Sequence, residues 1–179
     1  MIMTAMIVNG EGNRGDFGTR NLTNSIIPEP QYIYVAGSTG LTISDGSVIL
    51  ALGCEEINSA DFLNSYLKKH YGFSLKIVNT HAELEALLKS KASADVISVI
   101  DLSIKPLGTL IEATKLGYTA DDFKKDGAYY LKTSNNKAIL VGANPQGLFY
   151  AVQSLIQLLP VQLSDSHSKH SSHHSANNS

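Results

Sequence analysis

The sequence has few of the residues that mark common kinds of functional site. Its 179 residues include a single cysteine, Cys54, which excludes an internal disulfide framework and any metal or redox site built from paired cysteines. We therefore predict that Cys54 is an inert core residue. The 14 basic and 16 acidic side chains nearly balance, so the chain lacks the basic surface that binds nucleic acid. We expect no nucleic-acid partner.

Long apolar runs are missing as well. No stretch approaches the roughly 18 apolar residues of a membrane-spanning helix, and residues 1–8 have neither the basic flank nor the length of a signal peptide. We predict no membrane partner, and the sequence leaves the localisation open. At 179 residues the chain fits one domain of ordinary size, and it is too short for a (β/α)8 barrel, which takes about 250 residues.

Both ends of the chain lack a core-forming pattern. Residues 1–25 are rich in Gly and Asn without sustained periodicity, which predicts a flexible arm. The segment from Gly10 to Gly15 matches a dinucleotide fingerprint, but no amphipathic helix follows it, so we predict no cofactor site. Residues 161–179 form a Ser-, His- and Asn-rich tail, predicted to be disordered and without a defined metal site. This tail holds four of the six histidines, His167, His170, His173 and His174.

The strongest pattern is a strand that leads through a tight turn into an apolar helix. Residues 138–141 form an aliphatic run of strand length, and a turn before it indicates a hairpin with an earlier strand at 127–133. Asn144 stands at an N-cap position, with Pro145 at the first helical position. Apolar residues recur at helical spacing beyond it and predict an inward stripe, which comprises Leu148, Val152, Leu155 and Leu159.

A hairpin is predicted near the start of the domain. Residues 41–44 and 47–52 are short runs of strand character, and Asp45-Gly46 lies between them. This dipeptide suits the positive φ angles of a two-residue turn. We therefore predict that the two runs pair as antiparallel strands.

A β–α–β unit is predicted next. Its helix is capped at Asn58 or Ser59 and stopped by Gly72, and residues 74–78 return as a strand. One stripe of the helix is predicted to face the core, and it contains Phe62, Leu63, Tyr66, Leu67 and His70.

A second helix and a further strand follow. Thr80 and Glu83 have the spacing of a capping box, and the inward residues of this helix are predicted to be Leu84, Leu87 and Leu88. Residues 96–102 form an apolar strand. The segment at 105–117 is an apolar insertion to which we assign no function.

Two segments together resemble a known family. Gly127, Tyr129 and Leu131 fit a Gly-x-Tyr-x-Leu strand, and residues 147–160 read GLFYAVQSLIQLLP. This pattern resembles the end of the small N-terminal domain of glycoside hydrolase family 20, the β-N-acetylhexosaminidases. The resemblance extends over residues 26–160. Related N-terminal domains precede the catalytic barrels of α-glucuronidases and O-GlcNAc hydrolases, and these families stay open as alternative parents.

The resemblance implies catalysis by an adjacent Asp-Glu pair on a barrel, with the Glu as general acid and the Asp orienting the acetamido group of the substrate. No Asp-Glu dipeptide occurs in this sequence, and it has no tryptophan to wall a sugar site. The nearest pairs are Glu55-Glu56 and Asp121-Asp122, which we interpret as helix-start charges. We interpret His70 as a packed or helix-end residue and His81 as a solvent-exposed one. The sequence therefore predicts no catalytic, cofactor-binding or metal-binding residue.

The fold predicted from these elements is α+β. It has a mixed, largely antiparallel sheet of about five to seven strands, with two main helices packed on one face. The leading hypothesis for function is a non-catalytic accessory domain that packs against and supports a family 20 catalytic barrel, as the resemblance implies. The apolar helix at 145–159 is predicted to leave an exposed side, through which the domain docks or self-associates.

Two other functions stay open at this point. One is a free-standing carbohydrate-binding module, in which exposed tyrosines such as Tyr32, Tyr34, Tyr129 or Tyr130 form a sugar platform. The other is a small hydrolase, which would need a polar pocket that contains a histidine and a carboxylate. His70 and His81 are the histidines that such a pocket would use.

Overall fold

The computed structural model describes residues 41–90, 97–107, 121, 124, 126–134 and 136–159. In chain order, the elements within these ranges are β1 (Val48–Ala51), α1 (Cys54–Tyr71), β2 (Lys76–Val78), α2 (His81–Ser90), β3 (Val99–Ile104), β4 (Tyr129–Ser134), β5 (Lys137–Gly142) and α3 (Pro145–Leu158). The predicted arm at 1–25, the predicted tail at 161–179 and the tyrosines Tyr32 and Tyr34 lie outside the described residues. No helix in the described ranges is long and apolar enough to cross a membrane.

The five strands form one mixed sheet in the order β2-β1-β3-β5-β4, which confirms the α+β prediction. For the five strands that the structure describes, the expectation of a largely antiparallel sheet was wrong. β2, β1, β3 and β5 pair in parallel, and only β4 and β5 form an antiparallel hairpin. The parallel order follows from the helices α1 and α2 between successive strands, because parallel neighbours need a crossover connection.

The predicted hairpin at Asp45-Gly46 accounts for part of that error. A turn is present there, and the Ser47 N–H donates a hydrogen bond of 2.9 Å to the Ser44 carbonyl. Residues 41–44 nevertheless form no strand. Leu41 and Ile43 instead pack their side chains against the core. The turn therefore leads into β1 without supplying it with an antiparallel partner.

The core lies between the sheet and the two main helices, α1 and α3, which also contact each other, so their predicted placement on one face is confirmed. Register pairs Ile49 with Ile100 and Ile100 with Ala138 on this face. These strand residues pack against buried side chains of the two helices, which are Leu63 and Leu67 of α1 and Leu148, Val152 and Leu155 of α3. The other sheet face is buried too at Val48, Leu50, Tyr130 and Val141. Burial on both faces explains why β1 is a continuous apolar run.

The helix boundaries follow local signals. Gly72 ends α1 with a φ of 81°, and its N–H donates to the Lys68 carbonyl at 3.2 Å, as predicted for a glycine stop. The N-cap half of the capping box before α2 is confirmed as well, because the Glu83 N–H donates to Thr80 Oγ1 at 3.1 Å, while the Glu83 carboxylate forms an ion pair of 2.8 Å with Lys76. The start of α1 at Asn58 or Ser59 was wrong. This helix begins at Cys54, with Gly53 as its extended N-cap.

The apolar residues of α2 are less buried than predicted. Leu84 and Leu87 are only half-buried, and Leu88 is 44% exposed. The inward placement of Leu88 was therefore wrong. α2 packs against β2 near the edge of the sheet, where fewer neighbours are available to cover a third leucine.

Candidate docking surface

The outer sides of α1 and α3 form one surface that faces away from the sheet. The buried residues of each helix lie on its sheet side, so the residues a quarter to half a turn away lie beside the other helix or point outward. We call this surface the helical face. It is defined by exposed or half-buried side chains, namely Glu55, Asn58, Phe62, Tyr66 and Lys69 of α1 and Gln146, Phe149, Tyr150, Gln153 and Gln157 of α3.

Aromatic rings join the two helices across the helical face. The ring centroids of Phe62 and Phe149 are 4.8 Å apart at an interplanar angle of 51°, and Phe62 stays 39% exposed. Tyr66 continues the row and stacks on His70 at 4.4 Å and 31°. The rings are tilted against one another rather than coplanar, so they do not form the flat platform on which a sugar ring stacks.

The α3 half of the helical face carries no charge. Pro145–Leu158 contains no Asp, Glu, Lys or Arg, and its outward polar residues are glutamines. The Gln146 side-chain amide donates to Tyr150 Oη at 2.7 Å, and that of Gln157 donates to the Gln153 carbonyl at 3.1 Å. Depletion of charge with enrichment of aromatic residues is the composition that distinguishes protein–protein contacts from ordinary surface.

The exposed side of α3 was predicted to be apolar, and here the structure differs. Leu158, which lies off the inward stripe, is half-buried and packs against the core, as does Leu159. The exposed residues of α3 are Pro145, Gln146 and Gln157. The surface that remains for a partner is therefore made of aromatic and amide groups rather than of leucines.

Close backbone packing sets the position of α3. The Gly147 N–H donates to the Asn144 side chain at 2.8 Å, which confirms the predicted N-cap. The amide of Asn144 also donates to Asp126 Oδ1 at 3.2 Å, which ties the start of α3 to the segment before β4. A Cβ on Gly147 would lie 2.1 Å from the Ala128 carbonyl oxygen. α3 therefore approaches the sheet at a distance that only glycine permits.

A carboxylate fixes the start of α1. Glu56 Oε1 accepts a hydrogen bond of 3.1 Å from the backbone N–H of Ile104, at the end of β3. Glu55 and Glu56 both lie in the first turn of α1, where negative charge offsets the helix dipole. The prediction that this acidic pair marks a helix start is confirmed.

Two of the four tyrosines proposed as a sugar platform, Tyr129 and Tyr130, are buried in this structure, and the other two lie outside the described residues. Tyr129 is fully buried, and its hydroxyl lies 2.6 Å from Ser154 Oγ. Burial raises the pKa of Tyr129 to about 12, although the hydrogen bond to Ser154 acts in the opposite direction. Tyr130 is 4% exposed. Neither residue can form an exposed platform, because Tyr129 is buried on the face of the sheet that the helices cover and Tyr130 on the opposite face.

The other candidate polar residues do not come together. His70 lies in the last turn of α1 and His81 begins α2, and both are exposed, as expected for helix-end and solvent-exposed histidines. Asp121 forms an ion pair of 2.7 Å with Lys124, and Asp122 lies outside the described residues. Among the residues that the structure describes, no group of three or more His, Cys, Asp or Glu side chains could hold a metal ion.

Cys54 is exposed, so its predicted place in the core was wrong. The error has the same origin as the misplaced helix start. Gly53 caps α1 without a side-chain hydrogen bond, and a glycine gives a weaker sequence signal than the Asn58 and Ser59 that follow. With α1 beginning at Cys54, the residue lies at the first helical position, shortly after the end of β1.

Comparison with known proteins identifies the domain. Residues 23–174 match the family described as glycosyl hydrolase family 20, domain 2. The chain belongs to this family. Domain 2 of family 20 is an accessory domain of β-hexosaminidases.

A β-hexosaminidase from Porphyromonas gingivalis (strain ATCC BAA-308 / W83) is 34% identical to the chain over 79 residues. The matched stretch covers 44% of this chain and 10% of that protein. The chain thus corresponds to a small part of the length of this relative.

The aromatic part of the helical face was only partly visible in the sequence. The predicted inward stripe of α1 combined Phe62 and Tyr66 with Leu63 and Leu67, but only the two leucines are fully buried. A helix that packs on one sheet cannot bury all of so wide a stripe. The apolar stripe of α1 is wider than one sheet can bury, and α3 carries no charge. These two features were the signs in the sequence that the helices present a surface to a partner.

Proposed function

We propose that this chain is a non-catalytic accessory domain of a β-hexosaminidase-like glycoside hydrolase, and that it packs against and supports the catalytic barrel of its parent. The observation that carries the proposal is the helical face, where two helices present aromatic rings and an α3 surface free of charge. Membership of the family 20 domain 2 family supports the identity of the partner.

The non-catalytic role is supported by the state of the carboxylates. The family resemblance implies an adjacent Asp-Glu pair, and the sequence contains none. Glu56 is committed to a backbone hydrogen bond with Ile104, and Asp121 to an ion pair with Lys124. A general acid must instead reach the proton that it transfers within a substrate pocket. We therefore expect no hydrolysis by this chain alone.

The helical face also has the chemistry needed for docking. Amide side chains form hydrogen bonds at a contact without the large desolvation cost of a charged group. Tyrosine and phenylalanine contribute a large contact area, and such residues dominate the binding energy of protein interfaces. Gln153 lies in the middle of α3 on this face, so a charge introduced there would be buried by the barrel.

The test uses a β-hexosaminidase catalytic domain produced separately from its own domain 2. We expect the chain alone to leave a chromogenic N-acetylglucosaminide unhydrolysed. Added at a hundredfold excess over its Kd, the chain should raise the melting temperature of the catalytic domain by about 5 °C. The variant Gln153→Lys should fold normally and lose this effect.

The matched control is Ser90→Lys, which introduces the same charge at an exposed position of α2, away from the helical face. It should stabilise the catalytic domain as well as the unmodified chain does. Equal loss in both variants, or no stabilisation by the unmodified chain, would contradict docking through the helical face. Turnover that persists on purification and disappears with a single substitution in this chain would contradict the non-catalytic role.

A further inference from the structure

One edge of the sheet is formed by β2, the outermost strand in the order β2-β1-β3-β5-β4. The strand has three residues, Lys76–Val78, and its inner side pairs in parallel with β1. No strand pairs with its outer side among the residues that the structure describes. The unpaired peptide groups of such an edge are a template on which another chain can add a strand, so natural sheets protect them.

The register shows which peptide groups of β2 face this open edge. The Val48 N–H donates to the Ser98 carbonyl at 2.9 Å, so the peptide groups of Val48 point toward β3. Because these groups alternate in direction along a strand, those of Ile49 point toward β2, where Ile49 lies opposite Ile77. In a parallel pair a residue bonds to the two neighbours of the residue opposite it. The peptide groups of Ile77 itself therefore face outward, as do those two positions before and after it.

A side chain of α1 occupies the first outward position, which is Leu75. Asn64 Oδ1 accepts a hydrogen bond of 2.8 Å from the Leu75 N–H, and Asn64 Nδ2 donates one of 2.9 Å to the Leu75 carbonyl. A residue of an antiparallel neighbour would exchange the same two bonds with the residue opposite it. The Asn64 side chain thus takes the place of one residue of an additional strand.

A side chain of α2 occupies the last outward position, Asn79, which directly follows the strand. The Glu83 carboxylate accepts a hydrogen bond from the Asn79 N–H. The same carboxylate forms an ion pair of 2.8 Å with Lys76, an exposed residue of β2 itself. Within the described part of the chain, only Ile77 has both of its outward groups without a partner. A single residue is too short for stable strand pairing.

We propose that Asn64 and Glu83 together close this edge, and that a chain without them pairs edge to edge with a second copy of itself. A two-fold axis at Ile77 places Leu75 of one copy opposite Asn79 of the other, in antiparallel pairing. Leu75 is 4% exposed, so little water reaches its peptide groups once Asn64 is removed. Buried peptide groups without partners are unfavourable, and a strand from a second copy supplies both bonds.

The test compares the double variant, Asn64→Ala with Glu83→Ala, with the unmodified chain by analytical ultracentrifugation over a range of concentrations. The double variant should dimerise at least about tenfold more strongly, because it frees the edge on both sides of Ile77. Adding Ile77→Pro should abolish this gain. Proline removes the N–H at the centre of the proposed pairing, and edge strands tolerate proline where the N–H faces away from the sheet.

Two matched substitutions serve as controls. Glu85→Ala removes an exposed carboxylate of α2 whose ion pair lies within that helix. Ser65→Ala removes an exposed hydroxyl of α1 that donates to the Asp61 carbonyl of the same helix. Neither substitution should change dimerisation. Equal dimerisation of the double variant and the unmodified chain, or a gain that survives Ile77→Pro, would overturn the proposal.

Hydrogen exchange of the unmodified chain, followed by NMR, is a second measurement that needs no variant. The Leu75 amide should have a protection factor at least about tenfold larger than the Ile77 amide, because both face outward but only the first is hydrogen-bonded. The Val78 amide, which faces β1, reports whether the sheet is folded. Equal protection at Leu75 and Ile77 beside a protected Val78 would overturn the proposal, even if the double variant failed to fold.

This inference is independent of the proposed function. Neither Asn64 nor Glu83 belongs to the helical face, and both measurements are made without a catalytic domain. Failure of docking to a barrel therefore leaves the closed edge untouched, and a sheet edge that proves to be open leaves docking through the helical face untouched.

Discussion

The substitution Gly147→Ala tests how α3 is held on the sheet. In most helices this change is stabilising, by up to about 1 kcal/mol, since alanine has the higher helix propensity and restricts the unfolded chain. Here a Cβ would lie 2.1 Å from the Ala128 carbonyl oxygen and 3.3 Å from the Gly142 Cα. The first distance is more than 1 Å short of the 3.4 Å at which ordinary contact begins. Steric overlap therefore decides the sign.

The magnitude follows from what can move. Both neighbouring atoms belong to the backbone, so no rotamer change relieves the overlap, and α3 has to shift as a body away from β4 and β5. Overpacking of this kind costs about 1–3 kcal/mol and occasionally more. The gain in propensity is small in the first turn. We expect Gly147→Ala to lower the free energy of unfolding by about 2 kcal/mol and the melting temperature by about 4–8 °C.

Urea denaturation monitored by circular dichroism measures this effect, with Gln153→Ala as the control. That substitution places the same residue in the same helix, on its outer side, and should change the free energy of unfolding by less than about 0.5 kcal/mol. An unchanged or increased stability of Gly147→Ala would refute the reasoning. It would mean that α3 does not depend on close contact between backbones at this position.

Three further predictions concern the core, the buried tyrosine and the ends of the chain. Leu155→Ala should cost about 2–5 kcal/mol through lost burial and a cavity, and Leu158→Ala, at a half-buried position, clearly less, by urea denaturation. Because the pKa of Tyr129 is raised from 10.0 to about 12, its contribution to stability is complete below pH 10 and is lost as the pH rises through 12. The loss amounts to about 2–3 kcal/mol, measured as the difference from Tyr129→Phe between pH 9 and pH 12, and an equal pH dependence in both chains would contradict it. A chain shortened to residues 26–160 should keep its melting temperature, and a drop of several degrees would show that an end is docked.

The parts of the fold that sequence reasoning predicts well are those set by local signals. Asn144 and Pro145 start α3 as expected, because an N-cap and a first-turn proline act within one turn. Gly72 stops α1 and Thr80 caps α2 for the same reason. These signals need no knowledge of the remainder of the chain.

Strand direction was beyond local reasoning, because pairing joins residues far apart in sequence. β1 pairs with β3 about 50 residues later, and nothing within either strand records that choice. Burial on both faces, as at Val48 and Leu50, produces apolar runs that also suit a hairpin. The Asp45-Gly46 turn then favoured the antiparallel alternative, although residues 41–44 do not pair.

The candidate surface was also predicted only in part, because the composition of α3 is a local feature whereas the burial of its residues depends on tertiary packing. The sequence indicated that α3 was too apolar for one sheet, but it assigned the surplus to an exposed leucine side. Leu158 instead reaches the core, since α3 lies close enough to the sheet for its flanking residues to be covered. The close approach depends on Gly147 and Gly142 facing each other, a contact that becomes apparent only when the strand and the helix are placed together.

The polar residues on the outer side of α3 are glutamines rather than charged residues, and this lowers the desolvation cost of docking. A solvent-exposed helix normally carries Lys and Glu, which keep a domain soluble but lose hydration when a partner covers them. Gln146 and Gln157 are exposed and Gln153 is half-buried in this structure, and amides can form hydrogen bonds with a partner at a smaller cost of desolvation than charged groups. On α1 the charged members of the helical face, Glu55 and Lys69, lie at its two ends with Phe62 between them. A partner can therefore bury the centre of the face while the charged ends stay at the rim, where their pairing sets the orientation rather than the strength of the contact.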